Sequence, residues 1–281
     1  MRSLVVSLVL TIVPLAGCAV GAVEPRDDVP QQDAATMVLD GGPICRGNND
    51  GVISRDEVIF APGVQVHYRV NAASTVVPVN PHGTARMDGS FAWDFSSPDG
   101  DVLTLQAEAV SNQWFAAHYP GAQYVAPVDL RSGLVGIYRA SETTVDLLGI
   151  AGAAMSDGTE LRYDTAIPLL RFPLALGTSW SADAMTVDST VNHTTVASRD
   201  HYDIVVDAAG ELNLGILTFR KTLRLRVELT QRLPAGPGNR TIQYLWLTEC
   251  YGEVARITST NGEVDPDFTM GTEFRRLALQ P

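Results

Sequence analysis

The chain has 281 residues, with 20 Lys and Arg against 32 Asp and Glu, for a net charge of −12. That balance argues against nucleic acid as a partner, because phosphate contacts need Lys and Arg, and against a second, polybasic contact with a membrane. With 45% hydrophobic residues, 24 Gly and 16 Pro, the chain can bury a sizeable core but breaks into short elements.

Met1-Arg2 gives a short positive start, and Leu4 to Leu15 form an apolar run of about a dozen residues. That length suits the core of a signal peptide and falls short of the roughly 20 residues a membrane-spanning helix needs. The run ends in Leu15-Ala16-Gly17-Cys18, which resembles the lipobox of bacterial lipoproteins. The resemblance implies that residues 1–17 are a signal peptide and that Cys18 carries the lipid, palmitate included. It also implies that the mature protein is held in the cell envelope. Ala19 rather than Asp follows the cysteine. By similarity to Gram-negative sorting patterns, this implies an outer-membrane lipoprotein facing the periplasm or the cell surface. Removing residues 1–17 takes away Arg2 and moves the net charge from −12 to −13. Several acyl chains on one residue anchor stably, so the lipid is expected to be the sole membrane contact. Residues 18–43 carry Asp27, Asp28, Gln31, Gln32 and Asp33 with little apolar periodicity, and read as a disordered, flexible tether. Residues 44–281 remain as the folded domain.

With Cys18 assigned to the anchor, Cys45 and Cys250 are left in an oxidising compartment. A bridge between them would tie the start of the domain to its end and stabilise it by about 4–5 kcal/mol through chain entropy. The alternative is two buried thiols. Neither cysteine has the neighbouring His or CxxC spacing that a metal or redox role needs.

Arg46-Gly47-Asn48-Asn49-Asp50-Gly51-Val52-Ile53-Ser54-Arg55-Asp56-Glu57 is similar to a degenerate EF-hand-like calcium loop. Asn48, Asp50, Ser54 and Glu57 fall at side-chain ligand positions, Gly51 at the sharp turn, and Val52 where a backbone carbonyl binds. Arg46 stands where an Asp is required, no second loop is present, and Gly41-Gly42-Pro43 rules out an entering helix. Asp40, Asp56 or a carbonyl would have to replace the missing ligand. Calcium is the only cofactor the sequence suggests, and a polar turn opening the first strand explains the same residues.

Beyond the loop, alternation with a period of two recurs. Val64, Val66, Tyr68 and Val70 share one face, as do Phe91, Trp93 and Phe95. Leu223, Leu225, Val227 and Leu229 face one way while Arg224, Arg226 and Glu228 face the other. This is the pattern of antiparallel strands with one face buried. Further strands are expected at 102–108, 134–141, 144–148, 179–187, 201–206, 215–219, 242–248 and 253–258. Turn signals separate them at Pro98-Asp99-Gly100, Ser156-Asp157-Gly158, Ala209-Gly210, 234–238 and Asn261-Gly262. The run 186–199 is poor in large apolar residues and reads as an exposed hairpin. No amphipathic helix of useful length is found. The fold class is therefore all-β, an antiparallel half-barrel or β-sandwich.

Pro168-Leu169-Leu170-Arg171-Phe172-Pro173 with Gly177-Thr178-Ser179-Trp180, followed by Tyr244-Leu245-Trp246-Leu247 and Tyr251-Gly252-Glu253-Val254, resembles a pattern in uncharacterised bacterial lipoproteins. There a proline-rich turn and Gly-x-x-Trp precede a curved antiparallel sheet. The resemblance covers about 90 residues, implies a half-barrel or sandwich, and implies no defined activity. Trp180 and Trp246 need only be core anchors, and Gly177 and Gly252 backbone bends.

The histidines His67, His82, His118, His193 and His201 are scattered and form no HExxH. Gly177-Thr178-Ser179-Trp180-Ser181 lacks the second glycine of a nucleophile elbow, and no phosphate loop occurs. The expectation is a non-enzymatic envelope protein that binds a partner protein, an envelope polymer or an apolar ligand. A hydrolase of envelope polymers and a calcium-dependent structural or adhesion module are the alternatives. No ligand-binding residues are identified, though the aromatics Phe91, Trp93, Phe95, Trp114, Phe115, Trp180, Tyr244 and Trp246 are candidates if an apolar cavity exists.

Overall fold

The computed structural model describes residues 45–59, 61–234 and 238–278, together with the backbone of Thr36–Met37. Cys18 and, apart from Thr36–Met37, the rest of the segment before Cys45 lie outside the described residues. In chain order the early strands are β1 (Thr36–Met37), β2 (Cys45–Arg46), β3 (Gln65–Val70), β4 (Val77–Pro78), β5 (Thr84–Ala85) and β6 (Phe91–Asp94). Next come β7 (Asp101–Gln106), β8 (Glu108–Ala109), β9 (Tyr124–Pro127), β10 (Leu134–Ala140), β11 (Thr144–Gly152) and β12 (Glu160–Arg171). The last are β13 (Ser179–Val191), β14 (Thr194–Val196), β15 (Arg199–Asn213), β16 (Thr218–Arg232), β17 (Asn239–Thr248), β18 (Gly252–Ser259) and β19 (Met270–Ala278).

The molecule is all-β and almost wholly antiparallel, and the sheet goes beyond half a barrel. Strands β9 to β13 pair in sequence, β13 then pairs with β15, and β15 to β19 continue the wall. From β19 the wall passes to β3 and then β7. The chain bends at Ala107 from β7 into β8, which pairs with β9 and closes the circle. Among the described residues, short 3-10 turns at Arg55–Glu57, Val110–Asn112, Ala116–His118 and Met155–Asp157 are the helical elements.

Alternation decides which residues point inward. On β16, Leu223, Leu225, Val227 and Leu229 are buried, while Arg226, Glu228 and Thr230 on the other face are half-buried. Strands β17 and β18 are buried on both faces, because a second layer covers the outside of the barrel there. That layer is the excursion from β4 to β6. Its Trp93 and Phe95 meet Trp246 edge-on, with ring centroids 5.9 and 4.8 Å apart, and Phe95 also meets Phe274. A smaller cover packs Phe115 and Tyr119 over Val125, Ile137 and Ala151 on β9 to β11. One end of the barrel is stoppered by residues 45–59, whose Ile53 pairs with Leu174 through two backbone hydrogen bonds of 2.8 Å. The expected disulfide is present there: Cys45 and Cys250 are bridged across 205 residues, with Cα atoms 5.5 Å apart.

Three local expectations are corrected. Ala209-Gly210 is not a turn but lies within β15, and the reversal comes at 214–217, so the strand expected at 215–219 starts only at Thr218. Gly210 is there because β6 runs parallel against it: a Cβ at this position would lie 1.9 Å from the Phe91 carbonyl oxygen. Pro168 belongs to β12 rather than to a proline-rich turn. Pro168 is in register with Asp146 of β11, but toward β13 the pairing stops at Glu160, Arg162 and Tyr163, so on that side no ladder partner awaits an amide at 168. The seam is pinned instead by side chains: Trp180 Nε1 donates to the Pro168 carbonyl at 2.7 Å, and the Met185 amide donates to Asp164 Oδ1 at 2.8 Å. The run 186–199 forms the expected hairpin, turning at Asn192-His193, both at positive φ.

Candidate functional site

The calcium-like loop adopts a compact turn sealed by its own side chains. Asn48 Oδ1 accepts from the Asp50 amide at 2.9 Å, and Asp50 Oδ1 from the Val52 amide at 2.7 Å. Glu57 is buried; its Oε2 accepts from the Ser54 amide and hydroxyl, both at 2.8 Å, and its Oε1 from the Asn48 amide at 3.3 Å. Glu249, from the turn between β17 and β18, accepts from the Asn49 amide at 2.6 Å. Burial raises the Glu249 carboxyl above its ordinary range, opposed by the Asn49 and Gly51 amides and aided by Glu57 and Asp50. The structure thus gathers Asn48, Asp50, Ser54 and Glu57, and adds Glu249, which sequence spacing could not supply. Among the described residues, no group of three or more His, Cys, Asp and Glu side chains is placed to hold a metal ion.

The aromatic candidates are mostly spent on packing. Trp93, Phe95, Phe115, Trp180, Tyr244 and Trp246 are all buried, with Phe91 and Trp114 half-buried. Tyr244 packs on Phe268 and under Arg224, whose guanidinium sits 4.7 Å from its ring, and burial pushes its hydroxyl up to about 12.

Sequence reasoning missed a charged layer inside the barrel. Arg256 and Arg275 are 0% exposed and flank Glu253. Arg275 Nε donates to Glu253 Oε1 at 2.7 Å, Arg256 Nη2 donates to Glu253 Oε2, and the Arg275 guanidinium lies 5.0 Å over the Tyr68 ring. Glu273 stands 3.6 Å from Arg275 Nη1 and accepts from Thr258 Oγ1 at 3.3 Å. Burial raises the Glu273 carboxyl, against the pull of Arg275 and Arg256. Burial alone would lower Arg275, but Glu253 and Glu273 hold it above its ordinary value. Further round the interior, Asp200 accepts from the Tyr163 hydroxyl at 2.8 Å and is raised by burial. A bulge between Trp246 and Leu247 lets both Glu253 and Arg256 reach inward. Alternation read from sequence alone puts an odd and an even position on opposite faces, which is why the layer was hidden.

The histidines all find partners outside the core. His67 contacts Thr104 at 2.9 Å, His82 contacts Asp267 at 3.0 Å, His118 contacts Glu160 at 2.8 Å, and His193 reaches the Ser156 carbonyl at 3.2 Å. His201, on the outer face of β15, lies between two carboxylates: Nδ1 is 3.1 Å from Asp183 and Nε2 is 3.2 Å from Asp203. Two residues along β15 on that face, Met185, Arg199 and Arg232 form a row on β13, β15 and β16. All three are exposed.

Set against protein-family models, curated proteins and solved structures, the chain finds no match in any of the three.

Proposed function

We propose that this chain is a lipid-anchored protein of the bacterial envelope that acts by binding another macromolecule through its outer surface rather than by catalysis. The observation that supports this reading is the filled interior. Arg256, Arg275, Asp200 and Tyr202 are 0% exposed within the barrel, and the large aromatics pack in the core or beneath the outer cover. A carrier of apolar cargo needs a roomy apolar pocket with few polar groups; this interior is crossed by charged side chains in contact with one another. The closely spaced carboxylates Glu253 and Glu273 are buried and face arginines, an arrangement that favours structure over hydrolysis.

The anchor rests on the Leu15-Ala16-Gly17-Cys18 pattern. Metabolic labelling with a palmitate analogue tests it: the wild type incorporates label and sediments with membranes, and Cys18→Ser does neither. Labelling that survives Cys18→Ser would refute the anchor. Native mass spectrometry of the processed protein, with and without millimolar calcium, tests the rest. The expected result is a bare mass in both conditions. A co-purifying apolar molecule would replace this reading with that of a carrier, and a calcium adduct lost in Glu57→Gln would establish the loop as a cation site.

A further inference from the structure

We infer that the outer face at the β13–β15–β16 row is the docking surface, and that its partner is an acidic segment of another protein. The inference deepens the binding reading above and rests on it.

Arg199 on β15 is directly opposite Arg232 on β16, and Arg199 is also opposite Met185 on β13. Like charges facing each other across a ladder destabilise it. A nearby carboxylate normally relieves such a pair, but the carboxylates around this row point to other partners, Glu228 to Arg226 and Arg240 among them. Asp164 accepts from the Met185 amide, Asp183 and Asp203 face the two nitrogens of His201, and Asp188 pairs with Arg162 at 2.6 Å. Neither the Arg199 nor the Arg232 side chain makes a hydrogen bond or ion pair with another described residue. In a chain of net charge −12, two adjacent uncompensated guanidinium groups form an anion-directed fork.

The same face also carries exposed apolar side chains. Met185 is 47% exposed and Val187, two residues along the same face of β13, is 41% exposed. Met and Arg are enriched at protein interfaces, where an apolar centre carries a polar rim. The row also lies at the far end of the barrel from the tether. Arg232 ends β16, whereas the Cys45–Cys250 bridge sits beyond the opposite end of β17. The eight residue steps from Leu223 to Gln231 on β16 span roughly 27 Å at strand rise. A surface so placed is presented away from the point where the anchor joins, which favours a protein over the anchoring bilayer.

The test uses the full processed protein, methyl-labelled at Met and Val, in neutral detergent. The probe is a capped synthetic peptide alternating Glu and Leu. Methyl shifts at Met185 and Val187 are expected on titration, with affinity falling as salt rises. Affinity should drop at least tenfold in the Arg199→Gln, Arg232→Gln double variant and stay unchanged in Arg220→Gln, an exposed arginine elsewhere. Equal binding by the double variant, or no shift at either methyl at millimolar peptide, would overturn the inference. So would shifts produced by anionic vesicles but not by peptide, or by concentrating the protein alone, which would name a lipid or a second copy instead. A melting curve guards against a structural role: each single variant should melt at or above the wild-type temperature, and a fall of about 5 °C or more would count against docking. Cys18 labelling and the native mass do not involve these arginines, so failure here leaves the broader reading standing, and failure there is seen separately.

Discussion

Glu253 is the residue on which the interior turns, because it compensates two arginines that have no access to water. Removing one partner of a buried ion pair leaves the other charge uncompensated, at a cost of about 3–5 kcal/mol. Glu253→Gln is therefore expected to lower stability by that much in chemical denaturation, and Glu253→Asp by less. The same layer sets a pH dependence. Glu273 and Asp200 are raised by burial, and Glu249 likewise at a more exposed position. With folded values above unfolded ones, the native state holds protons that the unfolded chain has released. Stability then falls as pH rises through the window from the ordinary carboxyl value of 4.5 for Glu273 up to its folded value. Below that window both states are protonated and the contribution is flat. Measured melting temperatures should decline across that range, and Glu273→Gln should reduce the slope. An unchanged slope would show that Glu273 does not carry it.

At the scale of elements, the outer cover depends on a single small residue. Gly210 lets β6 run against β15, and any side chain there meets the Phe91 backbone. Gly210→Ala is expected to detach β6 and expose Trp93 and Trp246, seen as a red shift of tryptophan emission and increased quenching. Emission identical to wild type would show that β6 is held by its aromatic contacts alone. This element also shows how much the sequence discloses. The alternation at 222–229, the aromatic triplet 91–95 and the cysteine pair were all legible, because burial on one face and a covalent link leave periodic or compositional signs. The parallel docking of β6, the bulge before Leu247 and the entry of Pro168 into a strand were not. Each depends on a contact with a distant segment that overrides local propensity. The candidate surface was hidden for the same reason: Met185, Arg199 and Arg232 are far apart in the chain and meet only through register.

For the molecule as a whole, the barrel, its outer cover and its end stopper form one body with the disulfide at the stopper. Breaking that link by Cys250→Ser frees a loop of 205 residues and should cost about 5 kcal/mol in the chain-entropy account, less where the unfolded chain retains structure. A drop below about 1 kcal/mol would mean that burial of residues 45–59 does the work by itself. The bridge has a mechanical consequence as well. If Cys18 is fixed in a membrane, tension along the intervening chain arrives at Cys45 and passes through a covalent bond into the turn after β17. The load is borne by a strand whose neighbours grip it on both sides, not by the strip 45–59, whose noncovalent pairing to the barrel would otherwise peel residue by residue. Pulled from its N-terminus, the oxidised protein should yield in one high-force event, and the reduced protein should lose its stopper first, at low force.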